Sequence, residues 1–254
     1  MSAFISPPLP ERSALTLTSL DRKKRAYSVV TVAPQGIGFA ILLDAHAART
    51  SQGHPLLLPT PGLADMVAAE WRAQGTTVSL AAMPATRLAN WVLDGIPEAR
   101  ARAVTGIVDF AASDLVCYLA ISPASLVARQ TAAWTPVLNW VHTLLGQPFV
   151  QTRGVVHQDQ PAATLEAVRA LAAGLDDFNL AALAQASRLF GSAILALALK
   201  HGRLTGAAAF NVSRVDEIFQ AEQWGADEES ASRTEEGAHE ADWLDGWFAS
   251  LGRR

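Results

Sequence analysis

Apolar and polar positions change their period near residue 60. Before it, apolar and β-branched residues fall in short extended runs: Tyr27-Ser28-Val29-Val30-Thr31-Val32, Phe39-Ala40-Ile41-Leu42-Leu43 and His54-Pro55-Leu56-Leu57-Leu58-Pro59. Pro34-Gln35-Gly36-Ile37-Gly38 separates the first two as a turn, so these runs predict antiparallel hairpins. After Thr60-Pro61-Gly62 the spacing becomes three and four, with Leu63, Met66, Val67, Glu70 and Trp71 on one side of a helix over 63–74. Thr76-Thr77-Val78-Ser79-Leu80 predicts a short strand that closes this unit. Beyond Pro84 the pattern is helical, over 85–94, 98–112, 123–145, 161–172, 176–199, 205–224 and 226–250. Asp114 to Ala120 is the exception and reads as an extended, buried segment. The expected fold class is α+β: a leader over 1–24, a small α+β domain with antiparallel strands over 25–84, and a larger all-α domain over 85–254.

One helix stands apart. In Arg214 to Gly225, Val215, Ile218 and Phe219 fall on an apolar side that can dock on a core. Asp216, Glu217, Gln220, Gln223 and Trp224 gather on the other side, with no Lys or Arg among them. Two acids, two amides and an indole suit a surface that holds another protein better than one that only keeps the chain soluble. The alternative, Trp224 covering the core edge while the acids face water, stays open at this point. Gly225 offers a left-handed stop.

Composition narrows the function classes. Half of the 254 residues are hydrophobic and 17% are charged, which describes a folded chain with a substantial core. A net charge of −4 gives no general electrostatic reason to bind nucleic acid. The greasiest run, Ile194 to Leu199, ends at Lys200-His201-Gly202-Arg203, far short of a membrane span, so no membrane insertion is expected. The single cysteine, Cys117, suits a reducing compartment and sits in an apolar run as a buried, inert thiol. Met1 to Pro8 lacks the features of a secretory signal, and the basic run Arg22 to Arg25 reads as a solvated lead-in. A cytoplasmic location is expected, or the mitochondrial matrix in a eukaryote, and heavy use of Ala and of Arg over Lys points to a GC-rich bacterial genome.

Catalysis finds no support in the motifs. Gly36-Ile37-Gly38 lacks the third glycine and leads into another strand, not the helix that a dinucleotide site needs. No phosphate loop and no Gly-x-Ser-x-Gly elbow occurs, and none of the six histidines lies at ligand spacing from another. No cofactor and no metal are expected. Asp176-Asp177 suits a helix start, and Ser113-Asp114 a helix end with a capping residue.

Taken in order, several phrases resemble one family. They are Tyr27 to Val32, Gly38 to Asp44 with Arg49-Thr50, Pro55 to Thr60, Ala69-Glu70-Trp71-Arg72-Ala73-Gln74-Gly75 and Met83-Pro84-Ala85-Thr86-Arg87-Leu88-Ala89-Asn90. Ser113 to Tyr118, Arg129-Gln130, Trp134, Gly191-Ser192 and Val215 to Gly225 complete the series. The set is similar to the assembly chaperones of the ATP synthase catalytic head, of the Atp-twelve type that attends the α subunit. It departs from the family pattern at Ala45-His46 and at Thr135.

The resemblance implies a non-enzymatic protein that binds new α subunit until a β subunit replaces it, without nucleotide hydrolysis. It also implies that an acid matching Asp216 or Glu217 matters for function, and both stay open. A tryptophan matching Trp71 is sensitive in the family; its face, shared with Val67, gives it a structural role. Arg87 and Asn90 are expected at the domain junction in buried hydrogen bonds, and Asp114 as a cap or turn former. The acidic end, with Trp243, Leu244, Trp247, Phe248 and Leu251 at helical spacing, is expected to pack as a last helix. A small-molecule enzyme with an interdomain cleft and a less selective protein-binding scaffold are the competing readings.

Overall fold

The computed structural model of the chain describes residues 24–95, 97–225 and 228–252. Strand β1 (Val30–Gln35) pairs antiparallel with β2 (Gly38–Leu43) through a two-residue turn at Gly36 and Ile37, where Gly36 takes φ 59°. The strand begins later than the apolar run because the Ser28 and Val29 amides donate to the Asp44 carboxylate at 3.0 and 2.9 Å instead of to a ladder. It continues through Pro34, since β1 lies at the sheet edge, where a proline forfeits no ladder bond. Strand β3 (His46–Ala47) and strand β4 (Leu57–Leu58) both pair with β2.

Helix α1 (Pro61–Arg72) starts at Thr60, whose hydroxyl accepts from the Leu63 amide at 3.1 Å, and buries Leu63, Val67 and Trp71 against β1 and β2. The strand expected at 76–80 does not form. Thr77 makes a single bridge to Lys24, and the Ser79 amide turns to the Gln74 side chain at 2.7 Å. The leader lies outside the described residues except for Lys24. Arg25 is no solvated lead-in: its guanidinium donates to the Tyr27 carbonyl and to the exposed carbonyls at the end of α1, Arg72 and Gln74.

The remainder is helical, as expected: α2 (Pro84–Leu93), α3 (Pro97–Ala112), α4 (Ala124–Leu145), α5 (Ala162–Ala173), α6 (Asp177–Phe190), α7 (Ala193–Lys200), α8 (Gly206–Ser213), α9 (Val215–Trp224) and α10 (Glu228–Ser250). The helix expected over 176–199 is two, divided where Gly191 takes φ 61° and Ser192 caps the Leu195 amide. The one expected over 205–224 is also two, divided at Arg214. In place of one extended segment, the chain after Asp114 makes a short 3-10 turn (Leu115–Cys117) and then β5 (Tyr118–Leu119). Strand β5 pairs parallel with β6 (Thr152–Arg153), a small element inside the helical region.

Helix α7 is buried along its whole length at the centre, packed against α4, α6, α8 and α10. The last helix does pack, through Ala241, Leu244, Trp247 and Phe248, and the Trp247 indole donates to the Phe178 carbonyl at 3.2 Å. Its end meets α1, where the Thr60 hydroxyl donates to the Ser250 carbonyl at 2.8 Å. One apolar core runs without a break from Val30 to Phe248, so the expected boundary at 84 and 85 is crossed by continuous packing.

Candidate functional site

The singled-out helix, α9, is attached along one narrow line. Phe219 is its buried residue, and the Arg129 guanidinium of α4 lies 5.5 Å from that ring. Arg129 also reaches Glu222 at 2.7 Å, which holds the Glu222 carboxyl below the ordinary range and raises Arg129. The run-up to α9 is fixed by the Trp134 indole of α4, which donates to the Val212 carbonyl at 3.0 Å. The cations missing from the helix itself are thus supplied by Arg129 and Arg214; Glu217 lies 3.9 Å from Arg214.

Ile218 lies at the surface, 38% exposed, and not in the core where its helical position put it. With one buried anchor, the docking line is narrower than the apolar stripe. Gln220, Gln223 and Trp224 are exposed, and the Trp224 indole, at 78%, covers no part of the core. Gly225 ends the helix at φ 85° with ψ 161°, an extended glycine conformation and not the left-handed helical one.

Asp216 differs from Glu217. It is half-buried, and its Oδ1 accepts from the Gln130 amide Nε2 at 2.6 Å. Gln130, fully buried on α4, uses its other end to accept from the Ala120 amide at 2.7 Å. One side-chain amide therefore joins α4, the chain after β5 and the first turn of α9. The fixed carboxylate borders a groove of about 630 Å³, walled by Leu115, Tyr118, Leu119, Ile121 and Val155. Its rim is greasy: Ile121 is 75% exposed and Val155 99%, with Val156 beside it.

Behind the lining, Asp114 holds the turn that carries Leu115 into the groove. Its carboxylate is fully buried and accepts from the Val116 amide at 3.3 Å and from the Ile194 amide at 3.0 Å. It thereby caps both the 3-10 turn and the start of α7, across 80 positions of sequence. Burial pushes the acid up to about 7, against the hydrogen bonds from Ser192, Ile194, Val116 and Ala193. Cys117, in the same turn, is buried, and that burial together with the Asp114 charge pushes its thiol up and away from the reactive thiolate.

None of the other expected positions lines this groove. Trp71 is buried, with its ring edge-on to Tyr27 at 5.8 Å and its carbonyl accepting from the Tyr27 hydroxyl at 2.8 Å. Arg87 is exposed and makes no side-chain hydrogen bond among the described residues, contrary to the buried bonding expected of it; α2 presents its apolar face inward and this position outward. Asn90 is half-buried, and its Oδ1 is hidden without a hydrogen-bond partner, so the expected bonding is not made there either. Glu70 was not singled out by sequence. Its carboxylate takes the Ala85 and Thr86 amides at 2.8 and 2.7 Å and the Thr86 hydroxyl, capping α2 from α1. The placement of an acid 14 residues before a proline-initiated helix carries no local signal. Among the described residues no group of three metal-ligating side chains is assembled, and no helix is long and apolar enough to cross a membrane.

Residues 24–142 match the ATP12 chaperone protein family. Atp12 from Paracoccus denitrificans superposes with a TM-score of 0.83 at 35% identity, over 89% of this chain and 97% of that one. The chain belongs to the ATP12 chaperone family. A mutant of the Paracoccus protein matches equally well, with a TM-score of 0.84 at 34% identity over 89% of this chain and 97% of that one. A protein of Agrobacterium tumefaciens does so at 41% identity, with a TM-score of 0.83 over 90% of this chain and 86% of that one. Membership supports a role as a chaperone of ATP synthase assembly, and the fold of small antiparallel sheet plus helical body is that of Atp12.

Proposed function

We propose that this chain holds the α subunit of the ATP synthase catalytic head, covering its inter-subunit surface until the β subunit replaces it, with no nucleotide consumed. The contact surface is α9 and the groove at its first turn, with Asp216, Glu217, Gln220, Gln223 and Trp224 facing the client. One observation carries the reading: a fixed carboxylate at the edge of an apolar groove, on the helix that presents a 78% exposed indole. An exposed tryptophan beside exposed aliphatic residues is an aggregation liability on a free protein and the composition of a hot spot on a binding one. Asp114 serves the fold behind it, and Trp71 serves the packing of α1 on the sheet. Of the two acids, Asp216 is the better oriented, because Gln130 fixes it, whereas Glu217 is exposed and only loosely near Arg214.

An isolated subunit of a permanent ring exposes a large apolar face, and the obligate contact it will finally make exceeds what one groove and one helix can cover. Displacement by β then follows from mass action, in keeping with a protein that needs no phosphate loop. Co-expression of α with this chain, alone and with β, followed by size-exclusion chromatography without ATP, tests the reading. Expected is a stable complex with α that dissolves when β is present. Aggregated α in both the presence and absence of the chain refutes it.

A further inference from the structure

We infer that the groove at the foot of α9 receives an extended client segment that places a Lys or Arg side chain on Asp216 and aliphatic side chains between Ile121 and Val155. This rests on the assembly-chaperone reading and specifies the chemistry of what is recognised. Charge carries the argument. Among the described residues that line the groove, Asp216 is the one with an acidic or basic side chain. The nearby cations are already engaged elsewhere: Arg129 with Glu222, and Arg214 with Glu217 and the Phe210 ring, 5.6 Å away. Arg153, exposed on β6, is not part of the lining.

Gln130 binds the Asp216 carboxylate through a neutral amide, so it orients the charge without cancelling it. A half-buried carboxylate beside apolar walls is incompletely hydrated, and an incoming cation gains a charge-assisted hydrogen bond there that it would not gain on an open surface. The walls add length. A cavity of about 630 Å³ is much larger than one ammonium or guanidinium group, so the residues flanking the cation must fill it. The exposed Ile121 and Val155 make those flanking residues apolar. Gly154 tightens the groove: at φ 83° it brings the chain so close to Ile121 that an added Cβ would meet that side chain at 3.0 Å.

The test uses the full chain and intact α subunit. Asp216→Asn keeps an oxygen for Gln130 to bind and removes only the charge. It is expected to weaken α binding at least 10-fold and to flatten the dependence on ionic strength, while Asp65→Asn, at an exposed position of α1 outside the groove lining, changes affinity less than about 3-fold. A photo-crosslinking p-benzoylphenylalanine in place of Ile121 is expected to capture one α peptide with a Lys or Arg within a few residues of the modified site. Asp216→Asn binding like wild type, with unchanged salt dependence, overturns the inference. So does capture from α9 with none from position 121, or capture of an α peptide without a basic residue. In each of these cases the wild-type chain still holds α and the broader reading stands; failure of the wild type to hold α at all defeats that reading instead.

Discussion

Replacing Gln130 is the sharpest perturbation available, because one buried amide serves two partners. In Gln130→Leu the volume is nearly kept, and the Ala120 amide loses the oxygen it bonds at 2.7 Å. A buried donor left without an acceptor costs about 1–3 kcal/mol, and Ala120, half-buried in the groove lining, falls in the lower part of that range. Asp216 loses its donor at 2.6 Å as well, but it is half-buried and water recovers part of that loss. The sum is about 1–2 kcal/mol, which for a chain of this size lowers Tm by about 2–8 °C. Gln130→Glu separates the two contacts. One carboxylate oxygen still accepts from Ala120, and the other faces the Asp216 carboxylate, so the acids compete for a proton. Their folded pKa is raised above the unfolded value. Stability is then full below the ordinary carboxylate range and lost as pH rises through the raised value. Differential scanning calorimetry from about pH 4 to pH 8 reads both effects. Gln130→Leu melting within 1 °C of wild type, or Gln130→Glu tracking wild type at every pH, refutes the bridging role.

Asp114 gives a second pH experiment: its carboxyl is raised to about 7, so its contribution is fully present below the unfolded value and is lost as pH rises through about 7. Thermal melts are expected to show stability falling between about pH 4 and pH 7 and levelling off above, with that slope flattened in Asp114→Asn. Gly206→Ala should cost about 3 kcal/mol by chemical denaturation, because its Cβ would lie 2.3 Å from the Ala241 carbonyl oxygen and force α8 from α10. Gly106→Ala, with open space at its Cβ in mid-helix, is the control and should gain about 0.5–1 kcal/mol. Trp224→Ser should leave Tm within about 2 °C, since the indole is 78% exposed, yet weaken α binding at least 10-fold by interferometry.

Period made most elements legible. The switch from paired strands to three-and-four spacing marks the sheet and nearly every helix, because apolar faces must be buried whatever the tertiary detail. The breaks within 176–199 and 205–224 were hidden for the same reason: apolar spacing continues across Gly191-Ser192 and Arg214, and only the caps divide it. Ile218 shows where helical position fails. A face on the wheel becomes buried only if a partner covers it, and α9 at Ile218 has none. Arg87, expected at the junction in a buried hydrogen bond, instead stands exposed on α2. The acids and the indole of α9 are visible in the sequence as a composition without cations of its own. The groove beside them was not, since its walls come from 113–122, 154–155, Gly191 and Asp216, which are adjacent only after folding.

That assembly from distant segments bears on how a chaperone releases its client. Helix α9 is held by Phe219, by Gln130 at its first turn and by the solvent-exposed Arg129–Glu222 pair, whose contribution to stability is small. Recognition through one oriented carboxylate favours selectivity and rapid encounter over great affinity, because complementary charge acts chiefly on association and on rejecting wrong partners. The apolar rim supplies the remainder, in proportion to a groove far smaller than a subunit face of a permanent ring. On the proposed reading, a client held this way is selected by charge and retained by a modest apolar contact. A β subunit that buries more of the same face therefore needs no chemical energy to take its place.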